Sequence, residues 1–193
     1  MRIASTAQRR NSPEQRISRC ALNASKARML DCITLEPPSP ATACVIWMHG
    51  LGADGNDFVP IIPELDLPRD HSVRFVFPNA PTMPVTINGG YVMRAWYDIA
   101  SAEIDKRADE AGVRRSQVSI TELIADQRAK GIAANRIMLA GFSQGGVIAL
   151  QTGLRHPERL AGIMALSTYL ACAESLGVDS STANRDLPIF MAH

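Results

Sequence analysis

Along the chain, short runs of consecutive apolar residues alternate with longer stretches in which apolar positions recur every three or four residues. The first pattern predicts buried strands and the second amphipathic helices. Strands are expected over Leu30 to Leu35, Ala43 to Met48, Val73 to Phe77, Ile137 to Phe142, Gly162 to Leu166 and Leu187 to Ala192. Helices are expected over Gln117 to Lys130 and after Ser143, where Val147, Ile148, Leu150 and Leu154 share a face. A short helix broken by Pro60 and Pro63 is expected over Asn56 to Leu65, and Pro78 to Asp98, rich in Pro and Gly, reads as a long loop. Buried strands alternating with helices predict an α/β fold: a mostly parallel sheet with helices on both faces.

In such a sheet ligands collect at the carboxyl ends of the strands. The start of the Pro78 loop falls at those ends, and so do two sequences that carry chemistry. One is G-F-S-Q-G-G, Gly141 to Gly146, a glycine-flanked serine between a strand and a helix. That is the setting of the G-x-S-x-G nucleophile elbow, in which a sharp turn exposes the serine hydroxyl and leaves no room for side chains two residues either side. The bare motif arises by chance in roughly one chain in fifteen of this length, so its weight comes from the flanking strand and helix. The other sequence is H-G-L-G, His49 to Gly52, directly after the Ala43 to Met48 strand. Acyl transfer builds negative charge on a carbonyl oxygen, which this architecture meets with the N–H after the nucleophile and one from an earlier strand-to-helix loop. Here those are Gln144 and Leu51.

Composition narrows the class. With 193 residues and 46% hydrophobic content the chain can bury one good core. A net charge of +1 gives no electrostatic case for nucleic acid or an anionic membrane, and no apolar stretch is long enough to span a bilayer. Cys20, Cys32, Cys44 and Cys172 lack paired spacing, which suggests reduced thiols in a cytoplasmic protein and neither a disulfide frame nor a metal site. Residues 1–28 carry seven basic residues against Glu14 and few large apolar ones. They read as a basic, disordered extension, with the domain occupying 29–193.

His49 to Gly55, Pro84 to Asp98, Gly141 to Gly146 and Ala165 to Tyr169 together resemble the phospholipase/carboxylesterase family of α/β-hydrolases, and look most like bacterial carboxylesterases related to acyl-protein thioesterases. The resemblance runs from Cys32 to His193 and implies a serine hydrolase of short- to medium-chain carboxylic esters, or of acyl thioesters or lysophospholipids, with no cofactor and small-molecule ester or acyl substrates. It implies Ser143 as nucleophile, Leu51 and Gln144 as oxyanion donors, and Ile87, Met93 and Trp96 as the wall of an acyl channel. A homodimer is left open.

One departure stands out. The triad order of the fold is Ser, acid, His, so both partners should follow Ser143. Asp179 lies in a polar stretch, Asp186 precedes its strand and so stands at the amino end of the sheet, and family members continue past the position of His193 to their catalytic Asp and His. His49 is expected to be structural, His71 and His156 to lie on the surface, and His193 to be an untethered side chain on the active-site edge. The expectation is therefore an incomplete, impaired hydrolase domain.

Overall fold

The computed structural model describes residues 17–19, 29–101 and 109–193. Its strands are β1 (Ile17–Arg19), β2 (Cys32–Leu35), β3 (Ala43–Met48), β4 (Val73–Pro78), β5 (Thr82–Val85), β6 (Tyr91–Arg94), β7 (Ile137–Phe142), β8 (Gly162–Leu166) and β9 (Ile189–Ala192). The helices are α1 (Glu110–Ala129), α2 (Gln144–Arg155) and α3 (Ala173–Asp179). Seven strands form one sheet in the order β1-β2-β4-β3-β7-β8-β9. From β4 to β9 every neighbouring pair is parallel, while β1 and β2 join antiparallel. Of the basic leader, Ile17–Arg19 forms that outer strand and the rest lies outside the described residues.

Strand alternation divides the core in two. Ile46, Met48, Leu139 and Ile163 turn to one face and pack with Val113, Ile120 and Ile124 of α1 and Val147 and Ile148 of α2. Trp47, Phe75, Phe77 and Ala140 turn to the other, against Ile62 of the 3₁₀ helix Val59–Leu65. The two helical layers are unequal, because Pro60 and Pro63 keep the second one short and tight.

Besides Ile17–Arg19, a strand within the extension expected to be disordered, two regions differ from the sequence expectation. The stretch read as a loop folds as a hairpin, β5 against β6, closed by the 3₁₀ turn Thr86–Asn88 with Gly89 and Gly90 at positive φ. Asp98 pins that turn by accepting from the Thr86 N–H at 2.7 Å and its hydroxyl at 2.5 Å, which holds its carboxyl below the usual range. Helix α1 begins seven residues earlier than its apolar periodicity suggests. Gly112 permits this, since a Cβ there would stand 2.9 Å from the Tyr97 Cβ.

Candidate active site

Strand β7 ends at Phe142 and α2 starts at Gln144, so the whole change of direction falls on Ser143, at φ 53° and ψ −117°. A non-glycine residue held there carries about 1–3 kcal/mol of strain. The surroundings enforce it. The Ser143 N–H donates to the Leu166 carbonyl at 2.9 Å, and its carbonyl accepts from the Gly146 N–H at 3.0 Å and the Thr168 hydroxyl at 2.7 Å. The glycines are explained by close approach: a Cβ on Gly141 would meet the Gly145 carbonyl oxygen at 2.2 Å, and one on Gly145 the Met48 carbonyl oxygen at 2.3 Å. With the backbone so tied, Oγ of Ser143 has no hydrogen-bond partner among the described residues.

The H-G-L-G loop comes up beside this serine. A Cβ at Gly50 would lie 3.7 Å from the Ser143 Cβ. His49 is buried within the loop, its Nδ1 bonded to the Gly50 carbonyl at 2.7 Å and its Nε2 accepting from the Ala80 N–H at 3.0 Å. A backbone N–H pointing at Nε2 places the ring proton on Nδ1, and burial pushes the ring's pKa down. Gly52 turns with φ +77° and donates to the Arg94 carbonyl at 2.9 Å. Between these fixed points the Leu51 N–H meets no acceptor among the described residues, and the same holds for the Gln144 N–H, one of the free donors in the first turn of α2. The half-buried Ser143 thus sits at a helix N-terminus, where negative charge is favoured, and the Leu51 and Gln144 donors are both unspent.

The three expected channel residues separate. Ile87, 41% exposed, rides the hairpin turn, and Met93 is half-buried with its sulfur 3.6 Å from where a Gly52 Cβ would stand. Trp96 does not line a channel surface: it is 1% exposed, in the core behind the loop. His156, expected on the surface, is also buried, at 6% exposure, and neither ring nitrogen has a hydrogen-bond partner among the described residues. It is the extended residue that follows α2, a position whose burial helical periodicity does not reveal.

None of the histidines in the described residues is hydrogen-bonded to Ser143. Both nitrogens of His49 are engaged, His71 accepts from the Val73 N–H before β4, and His156 follows the far end of α2. His193 follows β9, two strands across from β7, or about 10 Å at ordinary strand spacing. The acids are likewise occupied. Asp179 accepts from Arg114 at 3.0 Å, which holds its carboxyl below the usual range, and Asp186 pairs with Arg159 at the amino end of β9.

A mostly parallel sheet with a strained serine between its central strand and a helix defines an α/β-hydrolase. Comparison with known proteins agrees. Residues 31–193 match the phospholipase/carboxylesterase family, and the chain belongs to it. It is 39% identical over 164 residues to acyl-protein thioesterase 1 of Schizosaccharomyces pombe, an alignment covering 85% of this chain and 72% of that protein. To acyl-protein thioesterase 1 of Yarrowia lipolytica it is 37% identical over 168 residues, covering 81% and 74%. Among solved structures it resembles Arabidopsis thaliana SOBER1, with a TM-score of 0.74, 29% identity and coverage of 78% of this chain and 73% of that one. It also resembles Zea mays acyl-protein thioesterase 2, at 0.71, 26%, 84% and 74%. By family the protein is a hydrolase of the carboxylesterase and thioesterase type. Among the described residues no helix is long and apolar enough to cross a membrane.

Proposed function

We propose that Ser143 is the nucleophile of a carboxylesterase acting on short- to medium-chain esters, with the Leu51 and Gln144 N–H groups as its oxyanion hole. The observation that carries this is the conjunction of a strained serine, whose Oγ has no partner among the described residues, with two unspent backbone donors in the elbow and the adjacent loop. Oγ would attack the ester carbonyl carbon while its proton passes to a base. The oxyanion that forms would accept from Leu51 and Gln144, collapse would expel the alcohol with a proton, and water would then release the acid from the acyl-serine. Met93 borders the loop from the hairpin side, Ile87 is exposed on the hairpin turn, and both are suited to an apolar acyl chain.

With no histidine bonded to Ser143, these 193 residues should turn over slowly, because loss of the base leaves only about 10³ to 10⁴ over water from binding and the oxyanion hole. Imidazole in solution should therefore serve as the missing base. The test is labelling by a fluorophosphonate read by mass spectrometry: the label should reach Ser143, accelerate with added imidazole and vanish in Ser143→Ala. Labelling elsewhere, or none even with imidazole, would remove the assignment. His193→Ala should change nothing.

The names of the yeast relatives favour a second reading, in which the scissile bond is a thioester. Rates for esters and thioesters of equal acyl length, measured with imidazole, separate the two.

A further inference from the structure

The chain has two buried tryptophans with opposite fates. Trp47 stacks between Phe58 and Phe77, and its Nε1 has no partner among the described residues. Trp96 has every polar group bonded. Its Nε1 donates to the His49 carbonyl at 2.9 Å, its backbone N–H donates to Oε1 of Gln144 at 2.9 Å, and its carbonyl accepts from the Ser116 hydroxyl. Nε2 of Gln144 donates to the next carbonyl, Tyr97, at 2.8 Å. Facing a backbone donor and a backbone acceptor, the Gln144 amide has one orientation.

The consequence lies in what these bonds join. The segment from Arg94 to Tyr97 holds the oxyanion loop on both sides of Leu51, at the His49 carbonyl and, through the Arg94 carbonyl, at the Gly52 N–H. Its other end holds the side chain of Gln144, whose own backbone supplies the second donor. Resting on the reading of Ser143 as nucleophile, we propose that Trp96 and the Gln144 side chain are positioning residues that fix the Leu51 and Gln144 donors relative to each other. Neither side chain touches the acyl group. They set the width of the hole, and a displaced donor weakens the transition state more than the ground state.

Trp96→Phe keeps most of the ring and removes only the bond to His49. Gln144→Asn keeps the backbone donor and is too short to reach both Trp96 and Tyr97. With imidazole present and p-nitrophenyl butyrate as substrate, each should lower kcat about tenfold with KM within about twofold. Each should weaken butylboronic acid, which forms a tetrahedral adduct on Ser143, by the same factor, while a planar ketone analogue binds as before. Trp47→Phe, which loses no hydrogen bond, should change none of these. The proposal is overturned if Trp96→Phe and Gln144→Asn keep the wild-type kcat and boronate affinity, or if Trp47→Phe loses as much as Trp96→Phe. Failure of the nucleophile assignment looks different: the wild type itself then takes no label at Ser143.

Discussion

The elbow and strand β9 stand two strands apart in one sheet and are built in opposite ways. At the elbow each backbone group of Ser143 is bonded, glycines stand where a Cβ would collide with carbonyl oxygens, and the flanking segments 49–52 and 94–97 are tied to each other. Along β9 all four residues, Ile189 to Ala192, are exposed, although the sequence I-F-M-A is wholly apolar, and among the described residues one edge of the strand pairs with no other. The elbow is precise because each contact excludes alternatives. Among the described residues β8 alone pairs with β9, and in these residues backbone left unpaired beside apolar side chains is a template for association.

The contrast breaks most sharply at Gly141. Gly141→Ala must push the Gly145 carbonyl away from a contact at 2.2 Å, and backbone cannot yield there without moving the start of α2. Destabilisation beyond about 4 kcal/mol is expected, read as loss of the cooperative thermal transition. A folded Gly141→Ala protein with a melting temperature near wild type would mean the elbow is far softer than its geometry.

At β9 the expected effect is on association. Phe190, 62% exposed, shares a face with Met164 and Leu166, while Met191 turns to the side of α2. Phe190→Lys with Met191→Glu places charge on the edge without touching Ser143. Light scattering should fall at equal concentration, with imidazole-assisted labelling of Ser143 unchanged. If scattering persists, the associating surface lies elsewhere.

The strain at Ser143 is smaller and opposite in sign. Glycine adopts φ 53° without penalty, so Ser143→Gly should abolish labelling and raise stability by about 1 kcal/mol in denaturant unfolding. A loss of stability would show that the serine side chain contributes more packing than its turn costs.

How legible each region was from sequence follows the same division. Strands β3, β7 and β8 are uninterrupted apolar runs, and their neighbours supply no competing signal. The serine and the H-G-L-G loop were visible because glycine spacing records close approach. The β5–β6 hairpin was not, since Pro81, Pro84 and two glycines speak against strands. What holds it is tertiary: the Ala95 N–H to the Pro81 carbonyl, and Asp98 on Thr86. The resemblance implies Trp96 on a channel wall, but a loop sequence does not show which way its aromatic turns. Its inward course depends on bonds to His49 and Gln144, each 47 or 48 positions away.

The smallest effect concerns pH and the two buried histidines. His49 and His156 both have pKa values pushed down by burial from an ordinary 6.5. Glu158 and Arg128 act on His156 in opposite directions and pair with each other at 2.6 Å, which leaves burial in control. Between pH 6.5 and the depressed native values the unfolded chain binds more protons than the folded one, so stability rises with pH in that window. It is fully present above about pH 6.5 and is lost as the pH falls. His156→Leu removes two buried nitrogens that have no partner among the described residues, which should add about 1 kcal/mol at neutral pH. It should also flatten part of the acid slope, leaving the share of His49, whose nitrogens are bonded in the oxyanion loop. Denaturant midpoints of wild type and His156→Leu across pH 5 to 8 test this. An unchanged slope would mean that His156 is protonated in the folded protein, with a partner that its burial conceals.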